Sequence, residues 1–147
     1  MADFITKQVA GTIYSVMTTG LNSLANNGLV LSAVTSLTET DYLYADVELV
    51  VTYGSAPTAN TAIAIWFIRV PDGTNYEDGD ASITPIRAAD AVLPLRAVTT
   101  AQRITVTANI PYGNFKVLLK NDGTGQAMAA SGNTLKLRPI TIKAFSS

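Results

Sequence analysis

Histidine and cysteine are both absent from this 147-residue chain, and only 14% of its residues are charged, against about 25% in ordinary globular domains. Without histidine, no side chain titrates near neutral pH in its ordinary state. Without cysteine there can be no disulfide and no thiolate metal site. These absences point away from an enzyme, and neither a catalytic residue nor a cofactor is expected. Long apolar runs are missing too. The longest span a few residues, far below the roughly 20 that a bilayer-crossing helix needs. Met1–Ala10 has no basic cluster followed by an apolar core, so neither a signal peptide nor a membrane partner is expected. A net charge of −1 gives no electrostatic reason to expect nucleic acid.

What the chain does have is apolar content of 48%, arranged in short runs between Gly, Asn, Asp and Pro. So much apolar character without a membrane segment argues that part of the surface is covered by partner subunits. The length suits one domain, with residues 1–10 as an N-terminal arm and 11–147 as the folded unit. Thr12–Thr18 is rich in β-branched and aromatic residues and reads as a strand. Gly20–Asn27 has room for one helical turn, with Leu21 and Leu24 on one side. Leu29–Leu37, Leu43–Tyr53, Gln102–Ile110 and Asn114–Lys120 alternate apolar and polar residues with the period of a half-buried strand. In Leu43–Tyr53 the buried set is Ala45, Val47, Leu49 and Val51. Ala91–Val98 contains Pro94, which suits a sheet edge, and Thr134–Lys143 is the last strand. Pro71–Asp90 is the longest irregular stretch, and no helix of useful length is evident.

Thr61–Val70 is apolar on both faces. It is either a central strand covered twice or a strand whose outer face meets another subunit. Trp66 and Phe67 fall on opposite faces, so one is core and the other a candidate interface anchor. The whole pattern is all-β, about eight strands in an antiparallel sandwich. A jelly roll fits best. An immunoglobulin-like sandwich is second, since its Cys…Trp…Cys pattern is absent.

Charge is unevenly placed. Residues 8–38 carry none, Glu39–Leu95 has nine acids and two arginines, and Arg96–Ser147 has seven bases and one acid. Either the two signs support head-to-tail packing between copies, or strands from the two halves interleave and the asymmetry vanishes in space. The densest polar cluster is Asp72, Asn75, Glu77, Asp78 and Asp80. Its spacing does not match a calcium-binding EF-hand loop, and turn-forming residues of a solvated loop explain it. Glu77 with Asp80 or Asp90 is the sole carboxylate set for glycoside chemistry, and nothing indicates the cleft that such chemistry needs. Tyr42, Tyr44, Tyr53, Trp66, Tyr76 and Tyr112 could provide a stacking platform for sugars. Lys116, Lys120, Lys136, Arg138 and Lys143 are too few to dominate a nucleic-acid groove.

Three stretches, Tyr42–Asp80, Leu95–Val106 (LRAVTTAQRITV) and Ile110–Pro139, together resemble a recurring small protein of tailed-phage structural gene clusters. The chain is also similar to the cement, or decoration, proteins of tailed-phage heads. That class includes jelly rolls that sit on the outer capsid as dimers or trimers and clamp neighbouring major capsid protein subunits. The resemblance implies a mechanical function at the virion surface, synthesis in the bacterial host cytoplasm, and two partners: the major capsid protein and further copies of this chain, as a homodimer or a trimer. It supplies no catalytic residues. The candidate contacts are Phe4 and Ile5 in the arm, Trp66 and Phe67, Tyr76 in the long loop, and Tyr112. The alternative is a carbohydrate-binding module, or a tail or connector component, of a phage particle.

Overall fold

A computed structural model describes residues Phe4–Ser146. The chain forms nine strands: β1 (Phe4–Ala10), β2 (Tyr14–Met17), β3 (Leu29–Leu31), β4 (Tyr42–Val51), β5 (Ala62–Arg69), β6 (Ala91–Pro94), β7 (Gln102–Asn109), β8 (Phe115–Asp122) and β9 (Thr134–Ser146). They make two antiparallel sheets. One has the order β1-β9-β4-β7, with β2 also paired to β9; the other has the order β3-β8-β5-β6. From β2 onward most connections cross from one sheet to the other, which produces a jelly-roll-like sandwich. No helix is present among the described residues.

Alternation sets the core. Ala45, Val47, Leu49 and Val51 of β4 meet Ile63, Ile65 and Phe67 of β5 and Phe115, Val117 and Leu119 of β8 in one buried cluster between the sheets. Phe67 and Phe115 pack edge to face, 5.6 Å between ring centres, the geometry their quadrupoles favour. Around Gly20–Asn27 the chain makes i→i+3 turns instead of a helical turn, with Asn22 N–H donating to Thr19 C=O and Leu24 N–H to Leu21 C=O. Ser23 and Asn27 adopt positive φ, which no right-handed helix accommodates. Leu21 is nonetheless fully buried.

Of the two alternatives for Thr61–Val70, the first holds: β5 is covered twice. Ala64, Trp66 and Ile68, with Leu118, form a second apolar cluster on the outer face of their sheet. Leu29, Leu31, Tyr76 and Ala89 pack against it. The cover is thus the chain's own 71–90 loop and not another subunit. Gly79 shows how close the loop lies. A Cβ there would sit 2.7 Å from Ile68 Cδ1, and its φ of +153° already favours glycine.

The ninth strand is β1, which falls in the expected arm. It pairs with the end of β9 in unbroken register from Phe4↔Ser146 to Ala10↔Ile140. β4 reaches only to Thr141 of β9, opposite Tyr42. Beyond that point β1 and Ile142–Ser146 form a two-stranded ribbon that leaves the sandwich.

Candidate functional site

Two surfaces stand out, and both lie at the end of the sandwich where β4 begins and β7 finishes. The first is the terminal ribbon. Every residue of β1 except Val9 is exposed. Phe4 is 72% and Ile5 50% exposed, and Ile142 and Phe145 are also solvent-facing. Ile5 lies directly opposite Phe145, and Lys7 opposite Lys143. Like charges in that position repel. Lys7 Nζ rests 5.7 Å from the Phe145 ring centre, and Lys143 Nζ reaches Asp41 at 4.0 Å. Among the described residues, the outer edge of β1 and the edge of β9 beyond Thr141 pair with no other strand. Free strand edges beside apolar side chains are templates for strand addition.

The second surface surrounds Tyr112, which is 81% exposed. It occupies the Pro111-Tyr112-Gly113 turn between β7 and β8, where Gly113 takes φ of +71° in open space. A cleft of about 400 Å3 lies on one side, lined by Tyr42, Leu43, Ser36, Thr40 and Asn114 among others. A smaller one of about 200 Å3 lies on the other, lined by Arg69, Val70, Pro71 and Pro111. Tyr42 donates its hydroxyl to Pro111 C=O at 3.0 Å, tying the turn to the first residue of β4. Burial pushes the Tyr42 hydroxyl pKa up, so it stays a neutral donor. Glu39 lines the same cleft. Burial opposes its ionisation, but the Thr12 N–H and Tyr14 hydroxyl donate to its two oxygens at 2.6 and 2.8 Å. These bonds outweigh burial and hold its pKa at about 2.

The remaining candidates are committed inside the fold. Phe67 is core, and Trp66, 5% exposed, donates its indole N–H to Arg87 C=O at 3.1 Å. Neither ring is available at the surface. Tyr76 is half-buried, with Lys116 Nζ 4.3 Å above its ring. The structure therefore brings Phe4 and Ile5 together on the ribbon, leaves Tyr112 exposed, and withdraws Trp66, Phe67 and Tyr76.

Carboxylates of the long loop serve its own backbone. Asp72 accepts the N–H groups of Thr74 and Asn75, and Asp80 those of Ser82 and Ile83. Glu77 and Asp90 clamp Arg87, at 2.7 and 2.8 Å. Among the described residues no three His, Cys, Asp or Glu side chains are grouped to hold a metal ion.

Fold and exposed sites together define a β-sandwich module whose free features are a strand ribbon and an aromatic cleft. No family model matches the chain, and no curated protein matches it. Among solved structures it is similar to Xyl-CBM35, determined in complex with a glucuronic acid containing disaccharide. The identity is 18%, with 98% of this chain and 92% of that chain covered, at a TM-score of 0.42.

Proposed function

We propose that this chain is a structural protein of a tailed-phage virion. It binds the outer surface of the capsid as a homo-oligomer and clamps neighbouring major capsid protein subunits, without catalysis. The sequence resemblance supplies the class. The observation that carries the reading is the terminal ribbon, whose two strands have free edges and four exposed apolar side chains. A two-stranded ribbon standing alone in water is marginal. One that projects Phe4, Ile5, Ile142 and Phe145 gains most by pairing with another chain.

The test is attachment to empty phage heads, with and without residues 1–10, followed by cryo-electron microscopy of the mixture. The full chain is expected at regular surface positions, and light scattering of the free protein should give a dimer or trimer. The truncated chain should lose most of its occupancy while keeping the circular dichroism of the sandwich. Equal occupancy of both chains would remove the ribbon from the contact. A monomer that ignores heads would overturn the reading.

A further inference from the structure

We infer that the cleft beside Tyr112 is a binding site for a neutral oligosaccharide. Of the six tyrosines, five have work inside the molecule. Tyr14 donates to Glu39, Tyr42 to Pro111 and Tyr53 to Asn121. Tyr44 accepts from Gln8, and Tyr76 carries Lys116. Among the described residues Tyr112 has no such partner, yet its ring is held out by a Pro-Tyr-Gly turn. A rigid aromatic side chain loses little entropy on binding, which makes it an effective anchor.

The surroundings select the ligand. The 400 Å3 cleft lies within the range of about 300–1,000 Å3 that small-molecule sites occupy. Its lining mixes apolar Leu43 with the hydroxyls of Ser36 and Thr40 and the amide of Asn114. A pyranose has the matching character, with C–H faces that stack on an aromatic ring and hydroxyls at its rim. Glu39 is the charged group in this lining, and it is ionised at neutral pH. It disfavours phosphate and carboxylate, and with them nucleotides and acidic sugars, and the cation lining the recess beyond, Arg69, already faces Asp90 at 3.6 Å. The recess beyond Tyr112, reaching Pro71, lets a chain of sugar units pass over the ring, so an oligomer fits better than a monosaccharide.

The experiment is an array of neutral and acidic oligosaccharides probed with the full-length labelled protein, followed by titration calorimetry on the hits. Neutral glycans are expected to bind. Tyr112→Ala should weaken binding about tenfold and Tyr112→Phe by no more than about twofold, because the ring and not the hydroxyl does the stacking. Asn114→Ala should weaken it by about three- to tenfold. Tyr112 is exposed, so its variants should melt with the parent, and melting curves check this. Absence of any neutral hit would overturn the inference. So would hits confined to uronic or sialic acids, or neutral binding that Tyr112→Ala leaves unchanged. Capture of a protein partner through Tyr112 without any glycan binding would assign the ring to a protein interface instead.

Discussion

Single polar residues hold the irregular parts of this chain, and Asn121 is the strongest case. It is fully buried. Its Oδ1 accepts from the Tyr53 and Thr124 hydroxyls, at 2.9 and 2.8 Å. Its Nδ2 donates to the carbonyls of Leu24, Ala25 and Gln126. One amide thus joins β8 to two loops far apart in sequence. Asn121→Ala would orphan several buried groups and should cost about 2–4 kcal/mol in denaturant unfolding. Tyr53 belongs to the same network, and burial pushes its pKa up to about 12. Its ordinary value is 10.0, so between pH 10 and 12 the unfolded chain ionises first. Stability is unaffected by this group below pH 10 and falls above it. Glu39 acts at the other limit. With a folded pKa of about 2 against an ordinary 4.5, its contribution is present above pH 4.5 and fades as pH drops toward 2. Glu39→Gln should cost about 1 kcal/mol at pH 7, since solvent screens bonds this near the surface, and almost nothing at pH 2. Unfolding curves of the two proteins at both pH values check this, and a cost that does not change with pH would refute the ionic role.

At the scale of elements, the 71–90 loop does the work of a strand. β6 pairs with β5 only from Ala62 to Ile65, which would leave the edge beyond it bare. Asp90 N–H donates to Ile65 C=O, and the Asp90 carboxylate accepts Phe67 N–H at 2.7 Å. Arg87 donates to Phe67 C=O at 2.9 Å. Glu77 takes Arg69 N–H through its carboxylate and returns its own N–H to Arg69 C=O. The edge is closed by side chains that clamp one guanidinium. Donating to Glu77 and Asp90 raises the Arg87 pKa despite burial, so the guanidinium stays charged at any working pH. Arg87→Ala should leave the Glu77 carboxylate without its ion-pair partner and Asp90 with Arg69 alone, at 3.6 Å, and loosen the loop from Trp66, at a cost of about 1–3 kcal/mol, reduced because the groups are partly exposed. Trp66 is the sole tryptophan, so its fluorescence reports directly. The expected result is a red shift and greater acrylamide quenching, and an unchanged spectrum would refute the clamp.

The same loop marks where the sequence ceases to be legible. β4 and β7 are readable because one face is buried and the other reaches solvent, which writes a period of two; in β8 Phe115, Val117 and Leu119 mark the inner face, while the buried Leu118 on the outer one breaks the alternation. The double burial of β5 is readable as an unbroken apolar run. What covers its outer face is not, because an irregular loop with Tyr76 and Ala89 on its inner side has no period. β1 is illegible for a related reason: Phe4, Ile5 and Val9 alternate too loosely to mark a face, and their partners lie at the far end of the chain. Trp66 and Tyr112 look equally suitable as anchors in the sequence. Only the fold, by giving Trp66 a hydrogen bond and a cover, separates them.

At the scale of the whole molecule, the opposed charges of the two halves interleave on one sheet. β4, from the acidic half, lies between β7 and β9 from the basic half. Glu48 stands opposite Lys136 on one side and forms an ion pair with Arg103 on the other, at 2.9 Å. Asp46 stands opposite Arg138 and accepts from Thr107. Charge along the chain therefore offers no head-to-tail contact from this face, and the proposed assembly rests on the ribbon outside the sandwich. That ribbon contributes little to the fold beneath it. Only Val9 of β1 is even half-buried, so removing residues 1–10 costs mainly exposed backbone hydrogen bonds. A loss of about 1–2 kcal/mol should lower the melting temperature of a chain this size by about 3–6 °C. Calorimetry and light scattering on the same truncated sample separate the two roles. A small shift in melting with a fall to monomer would assign the ribbon to assembly. A drop beyond about 15 °C would place β1 in the cooperative core, and the fold and its assembly would then be one structure.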